Sequence, residues 1–487
     1  MLFPFDNTYA RLPEAFFARV DPSPVRDPRW IALNRELATE LGLDLAGLEG
    51  DAGLAIFAGN QIPAGAEPIS TAYAGHQFGG FSPQLGDGRA ILLGEVIGRD
   101  GIRRDIQLKG AGPTPFSRRG DGRSALGPVL REYLVSEAMV ALGVPTTRAL
   151  AAVWSGDSVY REEIEPGGVF TRVAQSHLRV GTFEFFASRG DVANLKILTD
   201  YAIARHYPEA QDAEIPALAL LEGVMARQAR LIARWLSLGF IHGVMNTDNT
   251  SISGETIDYG PCAFLDTFDP AKRFSFIDER GRYAYGNQAN IALWNLTRLA
   301  EALLPLFGED EEAAVNRARE ALQRYAGIYQ SAWTEAFAAK LGIGEAYAED
   351  VEVIHPLLEL MREQEADFTL VFRHLASAIE EDAAAILTQF REPAPAIIWL
   401  SDWRAHLRNR GIGAEHARAL MRQTNPIFIP RNHRIEEVIQ AGRTGDFGPF
   451  QRLHEILRRP YDEQPEHTEY ETPPQPHEVV QATFCGT

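Results

Sequence analysis

Three side chains near the middle of the chain carry oxygen atoms that suit the handling of a phosphate ester. Asn249 and Asp258 are nine residues apart and offer oxygen ligands on adjacent loops, the kind that Mg²⁺ or Mn²⁺ accepts while bridging phosphate oxygens. Asp248 is the nearby carboxylate able to accept a proton. An Asp-Asn pair alone is common in turns. With the surrounding motifs, it predicts a metal site at Asn249 and Asp258 and a catalytic proton acceptor at Asp248.

The spacing of this segment resembles the catalytic loop of protein kinases, in which H-R-D-x-x-x-x-N is followed by D-F-G. His242 and Asn249 match the two ends of the first motif, and residues 258–260 (Asp-Tyr-Gly) match the second. Val244 stands where a kinase has its base, and a valine cannot accept a proton. Three interpretations stay open: a different transfer reaction, an active kinase, or a catalytically inactive nucleotide-binding scaffold.

Upstream residues suit nucleotide phosphates. Lys109 ends a predicted strand, where a kinase places the lysine that holds phosphates. Its expected partner is a glutamate on the following helix, with Glu132 as the first candidate and Glu137 as the competing one. Residues 86–89 (Gly-Asp-Gly-Arg) stand where a kinase has its phosphate-covering loop, and the arginine adds a bidentate phosphate donor.

Charge is unevenly distributed along the chain. Against 47 basic residues there are 66 acidic ones, a formal charge of -19, so the overall field repels nucleic acids and anionic membranes. Between residues 103 and 131 the balance reverses, with seven basic and two acidic side chains. Arg172 and Arg179 add two further cations. This local positive charge predicts a small phosphorylated ligand.

The bulk composition is that of an ordinary globular protein of 487 residues, with 45% hydrophobic residues and 10% aromatic ones. No apolar run approaches the roughly 18 residues of a membrane span. The first residues lack a secretory pattern, and two cysteines are too few for a disulfide framework. A cytoplasmic monomer without nucleic-acid or membrane partners is expected.

Strand patterns precede helical ones along the chain. A β-hairpin is predicted at 90–109, turning at Asp-Gly, and further strands at 149–154 and 169–173. Helices are predicted at 28–48 in part, 128–142, 191–206, 215–238 and over most of 289–458, with a short polar hairpin at 251–257. This order predicts an α+β, protein-kinase-like bilobal fold. Its expected units are an N-terminal extension at 1–80, a small sheet-containing lobe at 81–175, a large helical lobe at 176–460, and a flexible acidic tail at 461–487.

Taken together, these motifs closely resemble the selenoprotein O (SelO) family of pseudokinase-fold protein adenylyltransferases. The resemblance runs from residues 5–7 through 75–79, 84–90, 108–110 and 112–123 to 242–249, 258–260, 425–426 and 431–433, nearly the whole chain. It implies ATP bound in an orientation flipped relative to kinases, so that AMP is transferred to Ser, Thr or Tyr hydroxyls of proteins. UMP transfer with Mn²⁺ stays an alternative.

The resemblance also implies the site residues. The metal, Mg²⁺ or Mn²⁺, would be bound by Asn249 and Asp258, with Asp248 as proton acceptor. The nucleotide would be held by Gly86, Gly88, Arg89, Lys109, Asp121, Gly122, Arg172 and Arg179.

Two cysteines form a possible redox pair. Cys262 follows the Asp-Tyr-Gly element, and Cys485 is third from the carboxyl end, where many eukaryotic members of the family carry selenocysteine. A disulfide between them would clasp the tail over the catalytic loop. Core packing is the alternative role for Cys262.

Overall fold

The computed structural model describes residues 2–380 and 382–483. The chain combines one large antiparallel sheet with many helices, which is consistent with the predicted α+β class. None of the helices in these ranges has the length and apolar character needed to cross a membrane.

Most of the strands join a single sheet. Within the described ranges it has eight strands in the order β1-β3-β6-β7-β10-β9-β2, with β8 paired to β10, while β4–β5 and β11–β12 form two small separate pairs. The predicted hairpin at 90–109 is confirmed as β6 and β7. The strands are β1 Phe17–Arg19, β2 Arg29–Leu33, β3 Ile69–Thr71, β4 Gly75–Gln77, β5 Gly80–Ser82, β6 Ala90–Ile97, β7 Arg103–Lys109, β8 Ser124–Ala125, β9 Arg148–Tyr160, β10 Ile164–Ala174, β11 Phe240–Ile241 and β12 Ala263–Phe264.

Helices dominate after the sheet, as predicted. They are α1 Arg35–Glu40, α2 Leu45–Leu48, α3 Asp51–Phe57, α4 Leu126–Ala141, α5 Val180–Ala187, α6 Val192–His206, α7 Pro216–Ser237, α8 Gln288–Leu303, α9 Glu311–Gln323, α10 Tyr325–Lys340, α11 Val351–Gln364, α12 Phe368–Ala378, α13 Ala384–Leu387, α14 Pro393–Asn409, α15 Ala414–Thr424, α16 Asn432–Arg443 and α17 Gly448–Leu457.

The sheet separates two hydrophobic clusters. Side chains alternate between the faces of a strand, so in β6 Ile91 and Leu93 face one cluster while Leu92 faces the other. The first cluster packs under α1 to α3, and the second packs under α4 and continues into the later helices. Because α4 lies on the second face, its side chains reach the end of β7 and the middle of β10.

Two local predictions were wrong. A helix was predicted across 28–48, but residues 29–33 form edge strand β2, which pairs with β9. The helix begins only at Arg35, because the Asn34 side chain caps it by accepting a hydrogen bond from the Leu37 N–H. Residues 251–257 do not form a hairpin, since Ser251 pairs with Arg179 and the segment ends against the loop before β9.

The described segments near the two ends, residues 2–80 and 458–483, lie against the rest of the molecule. Residues 1–80 supply β1, β2 and β3 to the main sheet. After α17 the chain forms a short 3₁₀ helix, Pro465–Tyr470, and Arg431 Nε donates to the Glu471 carbonyl at 3.2 Å. At the far end the Thr483 hydroxyl donates to the Pro261 carbonyl at 2.6 Å, so the described tail reaches the residue before Cys262.

Candidate active site

A cavity of about 670 Å³ lies between the main sheet, the 116–123 loop and the loops at 244–260. It brings together every residue that the sequence analysis assigned to the nucleotide, the metal, the proton and the supporting ion pair. These are Gly86, Gly88, Arg89, Lys109, Asp121, Gly122, Glu132, Arg172, Arg179, Asp248, Asn249 and Asp258.

Strand register places two cations side by side in this cavity. β7 and β10 are antiparallel neighbours, with Arg172 opposite Gln107, two residues before Lys109. Residues two apart on a strand share a face, so Lys109 and Arg172 point the same way. Arg172 Nη2 also donates to Gln107 Oε1 at 2.8 Å, which fixes the plane of the guanidinium.

Glu132 on α4 is the partner of these cations. Its carboxylate lies 2.6 Å from Lys109 Nζ and 3.3 Å from Arg172 Nη1. The competing candidate, Glu137, instead accepts a hydrogen bond from Arg148 Nε at 3.0 Å and another from the Ala149 N–H. The structure thus resolves the choice between the two glutamates that the sequence left open.

Asp258 completes the network from the opposite side. Its Oδ1 lies 2.7 Å from Lys109 Nζ and 2.8 Å from Arg172 Nη1, and its Oδ2 lies 3.8 Å from Arg179 Nη1. Burial alone would raise the pKa of this carboxyl, but the three cations outweigh it and hold the pKa well below the usual value. Asp258 has a left-handed backbone, with φ of 64°. Such a conformation is uncommon outside glycine and aims the carboxylate at the cations.

Asp248 sits in a different electrostatic environment. Its Oδ2 accepts a hydrogen bond from Gln77 Nε2 at 2.9 Å, and its main-chain carbonyl accepts one from Arg179 Nη1 at 2.9 Å. Burial raises the pKa of the Asp248 carboxyl to about 6. Its Oδ1 is buried and has no hydrogen-bond partner among the residues that the structure describes. A carboxylate with this pKa can hold a transferred proton near neutral pH.

Asn249 and Asp258 have the chemistry for a divalent cation. Asn249 Nδ2 donates to the Val244 carbonyl at 3.0 Å, so the amide oxygen is the atom left for a ligand. No cluster of three His, Cys, Asp or Glu side chains suited to a metal occurs in the described ranges. Two protein oxygens nevertheless fit Mg²⁺, which is usually bound by one or two protein ligands together with substrate phosphates and waters.

Comparison with known proteins decides the family. The family model described as "Protein adenylyltransferase SelO" matches residues 2–458. The chain belongs to the SelO family. Curated proteins named protein nucleotidyltransferase YdiU from Methylorubrum extorquens, Rhizobium meliloti and Rhizobium etli are 60%, 59% and 58% identical to it, covering 100% of this chain and 99%, 99% and 97% of theirs. The predicted family and the predicted enzyme class, nucleotidyltransferase, are confirmed.

In the loop that resembles the catalytic loop of kinases, residue 244 makes its hydrogen bonds through its main chain. Val244 lines the cavity; its main-chain carbonyl accepts a hydrogen bond from Asn249 Nδ2, and its N–H donates to His242 Nδ1 at 3.3 Å. His242 is fully buried, and its Nε2 donates to the Ile257 carbonyl at 2.8 Å. His242 therefore ties the loop to the segment that leads into Asp258.

Glycines and an acidic residue shape the other end of the cavity. A Cβ built on Gly86, which has φ of +87°, would lie 2.4 Å from the Phe116 ring, and one on Gly88 would lie 2.9 Å from the Phe116 carbonyl. Both positions are therefore restricted to glycine by close packing. Asp121 lies 3.0 Å from Arg161, which holds the loop at Gly122 against the main sheet.

The sequence analysis missed several residues that line this cavity. Gln77 was not assigned a role, although residues 75–79 carried part of the family resemblance. Tyr73 stacks under Arg179, whose guanidinium carbon lies 4.5 Å from the ring centre. Asp87 accepts a hydrogen bond from the Thr71 hydroxyl and lies 3.7 Å from Arg179. Tyr73 and Asp87 support an arginine that was predicted, and only the folded arrangement links them to it.

Only one of the two cysteines in the predicted redox pair lies among the residues that the structure describes. Cys262 is buried outside the cavity lining, and its thiol donates to the Tyr259 carbonyl at 3.2 Å. Burial raises the pKa of this thiol to about 12, which keeps it protonated at neutral pH. Cys485 lies outside the described residues, so the redox pair stays a prediction.

Proposed function

We propose that this enzyme is a protein adenylyltransferase: it transfers AMP from ATP to a Ser, Thr or Tyr hydroxyl of a protein and releases pyrophosphate. The observation that carries the proposal is the cluster of Lys109, Arg172 and Arg179 around Asp258. A kinase active site holds its nucleotide phosphates with a single lysine at this position. Three buried cations suit a triphosphate that enters with its terminal phosphates deepest, in a protein-kinase-like bilobal fold with ATP flipped relative to kinases.

The nucleotide would be held mainly through its phosphates. Lys109, Arg172 and Arg179 would contact the leaving pyrophosphate, where negative charge develops as the bond to the α-phosphorus breaks. Gly86 and Gly88 leave room for close approach of the backbone, with Arg89 beside them at the cavity wall. Asp121 and Gly122 would contact the remainder of the nucleotide from the loop opposite.

Asn249 and Asp258 would hold Mg²⁺ or Mn²⁺. When bound, such a cation neutralises phosphate charge and orients the triphosphate for in-line attack. Asp258 bonds to Lys109 and Arg172 through one oxygen, and its second oxygen lies 3.8 Å from Arg179 Nη1. This second oxygen is therefore the more accessible ligand atom.

Asp248 would accept the proton of the attacking hydroxyl. The oxygen of the acceptor side chain forms a bond to the α-phosphorus, and the bond between that phosphorus and the bridging oxygen breaks. Pyrophosphate carries away the electron pair, and the hydroxyl proton passes to the Asp248 carboxylate. Val244 occupies the position of the kinase base, and the burial that raises the pKa of Asp248 suits this carboxylate to the replacement role.

The decisive experiment follows the label of ATP into protein. The enzyme is incubated with ATP labelled on the α- or the γ-phosphate, and intact mass is measured in parallel. Label from the α-phosphate together with a gain of one AMP supports the proposal. Label from the γ-phosphate would mean a kinase, and no label with retained ATP binding would mean an inactive scaffold.

Parallel reactions with UTP and Mn²⁺ test UMP transfer, because the phosphate contacts do not select the base. The Asp258→Ala variant is the negative control. The cytoplasmic location, the monomeric state and the absence of nucleic-acid or membrane partners stay predictions that rest on composition and charge.

A further inference from the structure

The small hairpin β4–β5 is fastened to the loop that carries Asp248 by three successive residues. The His76 N–H donates to the Thr247 hydroxyl at 2.7 Å, Gln77 Nε2 donates to Asp248 Oδ2, and the Phe78 N–H donates to Asn246 Oδ1 at 3.1 Å. Hairpin residues 76, 77 and 78 therefore contact residues 247, 248 and 246. This hairpin is separate from the main sheet, so these bonds fix its position beside the cavity.

A hydrogen bond between Glu184 and His76 stabilises the same contact between the hairpin and the Asp248 loop. Glu184 on α5 accepts one hydrogen bond from the Thr247 hydroxyl and pairs with His76 Nδ1 at 2.5 Å. Tyr283 reinforces the far side, where its hydroxyl donates to Asn246 Oδ1 at 2.6 Å. With both ends of the contact held, the Gln77 amide has little freedom to leave Asp248.

The two oxygens of Asp248 are consequently not equivalent. Oδ2 is held by Gln77, whereas Oδ1 has no partner in the described part of the chain. Oδ1 packs against residue 75, because a Cβ built on Gly75 would lie 2.7 Å from Oδ1. Gly75 has no positive φ that would demand glycine for backbone reasons, so the missing side chain matters because it lets the Asp248 carboxylate take this position.

We propose that Gln77 is a positioning residue of the transfer reaction: by donating to Oδ2 it fixes the orientation of the Asp248 carboxylate that meets the acceptor hydroxyl. This inference rests on the proposed function, because it assigns a partner to the proposed proton acceptor. In the step, the O–H bond of the acceptor breaks as its oxygen bonds to the α-phosphorus, the bond from that phosphorus to the leaving pyrophosphate breaks, and the proton passes to the Asp248 carboxylate. Gln77 keeps donating to Oδ2 and neither gains nor loses a proton.

The test compares Gln77→Met with the wild-type enzyme. Methionine keeps the length of the side chain and removes the amide donor. A hydrogen bond to a charged group is worth enough that its loss should lower kcat about tenfold to a hundredfold. The Kd for ATP, measured by calorimetry, should stay within about twofold of wild type, because Gln77 contacts the proposed proton acceptor. Gln423→Met, at an exposed glutamine on α15, is the matched control and should leave kcat unchanged.

A double-mutant cycle shows whether Gln77 acts through Asp248. In an Asp248→Ala background, Gln77→Met should cause no further loss, whereas independent effects would multiply and would overturn the inference. A wild-type kcat in the Gln77→Met variant would also overturn the inference. So would a variant in which kcat, ATP affinity and melting temperature all fall together, because that pattern marks a merely structural role. If the wild-type enzyme transfers no AMP, the proposed function fails first, so the two failures are distinguishable.

Discussion

Replacing Asp258 with alanine should do more than remove a proposed metal ligand, because this carboxylate also neutralises three cations. It lies 2.7 Å from Lys109, 2.8 Å from Arg172 and 3.8 Å from Arg179. Removing one partner of a buried ion pair costs about 3–5 kcal/mol. Glu132 still pairs with Lys109 and Arg172, so the lower end of this range, about 3 kcal/mol, is expected here. We expect the nucleotide-free variant to lose that much free energy of unfolding and to transfer no detectable AMP.

The same variant should bind inorganic pyrophosphate more tightly than the wild type when no divalent metal is present. In the wild type a phosphate oxygen has to displace Asp258 from Lys109 and Arg172, and in the variant that competitor is gone. If about 1.4–2.7 kcal/mol of the lost stability is recovered on binding, Kd falls about tenfold to a hundredfold. Calorimetry in a chelator measures Kd, and added pyrophosphate should narrow the melting-temperature gap between the two proteins.

Asp266→Ala is the matched control for this prediction. Asp266 is buried to a similar degree, with its side chain 22% exposed against 21% for Asp258, and it pairs with Arg431 at 2.5 Å outside the cavity. It should lower stability without changing pyrophosphate affinity. Weaker metal-free pyrophosphate binding by Asp258→Ala than by the wild type would refute the reasoning, because it would mean that the carboxylate does not compete for these cations.

Three further predictions concern single positions. Gly75→Ala should lower kcat at least about tenfold with little change in ATP affinity, because the added Cβ would lie 2.7 Å from Asp248 Oδ1 and would displace the carboxylate; unchanged kcat would mean that the exact position of this carboxylate does not matter to the reaction. Gly86→Ala should raise the Kd for ATP, because its Cβ would lie 2.4 Å from the Phe116 ring, and Phe116→Ala should restore part of the affinity. Burial raises the pKa of Glu255 to about 7 from 4.5, so the folded protein keeps a proton that the unfolded chain releases, and stability falls as pH rises from about 4.5 to about 7. Glu255→Gln should therefore be more stable than wild type at pH 8 by up to about 3 kcal/mol and should gain little at pH 4.5; urea midpoints at both pH values test this, and an equal gain at both would contradict it.

Local periodicity predicted the elements that depend on local sequence. The hairpin of β6 and β7 and the long helices α6 and α7 lie within two residues of their predicted bounds, because apolar spacing and turn residues report directly on strands and helices. The helix predicted across 28–48 failed where pairing with β9 outweighs helical spacing. Tertiary contacts decided that segment, and sequence periodicity carries no information about them.

The residues of the cavity likewise divide into those that the sequence predicted and those that only the folded structure brings together. Residues chosen for their type, such as Lys109 and Asp258, line the cavity, because phosphate and metal chemistry restricts the side chains that can serve. Gln77 escaped prediction because it meets Asp248 across 171 positions of sequence, and no local pattern reports such a contact. The choice between Glu132 and Glu137 was equally inaccessible, since it depends on how α4 is rotated against the sheet.

The contrast between positions 244 and 248 explains how a kinase-like loop can carry its carboxylate elsewhere. The main-chain carbonyl of residue 244 orients the Asn249 amide, and this hydrogen bond does not depend on the side chain at position 244. Position 248 is where the surrounding structure provides for a carboxylate: Gln77 donates to one oxygen and Arg179 holds the adjacent carbonyl. A base is useful only where its neighbours fix its orientation and protonation. In this chain those neighbours are Gln77 on β4 and Arg179 at the end of the segment after β10, and both contact residue 248. The valine at 244 is therefore compatible with catalysis, provided that the hairpin and the arginine stay in place.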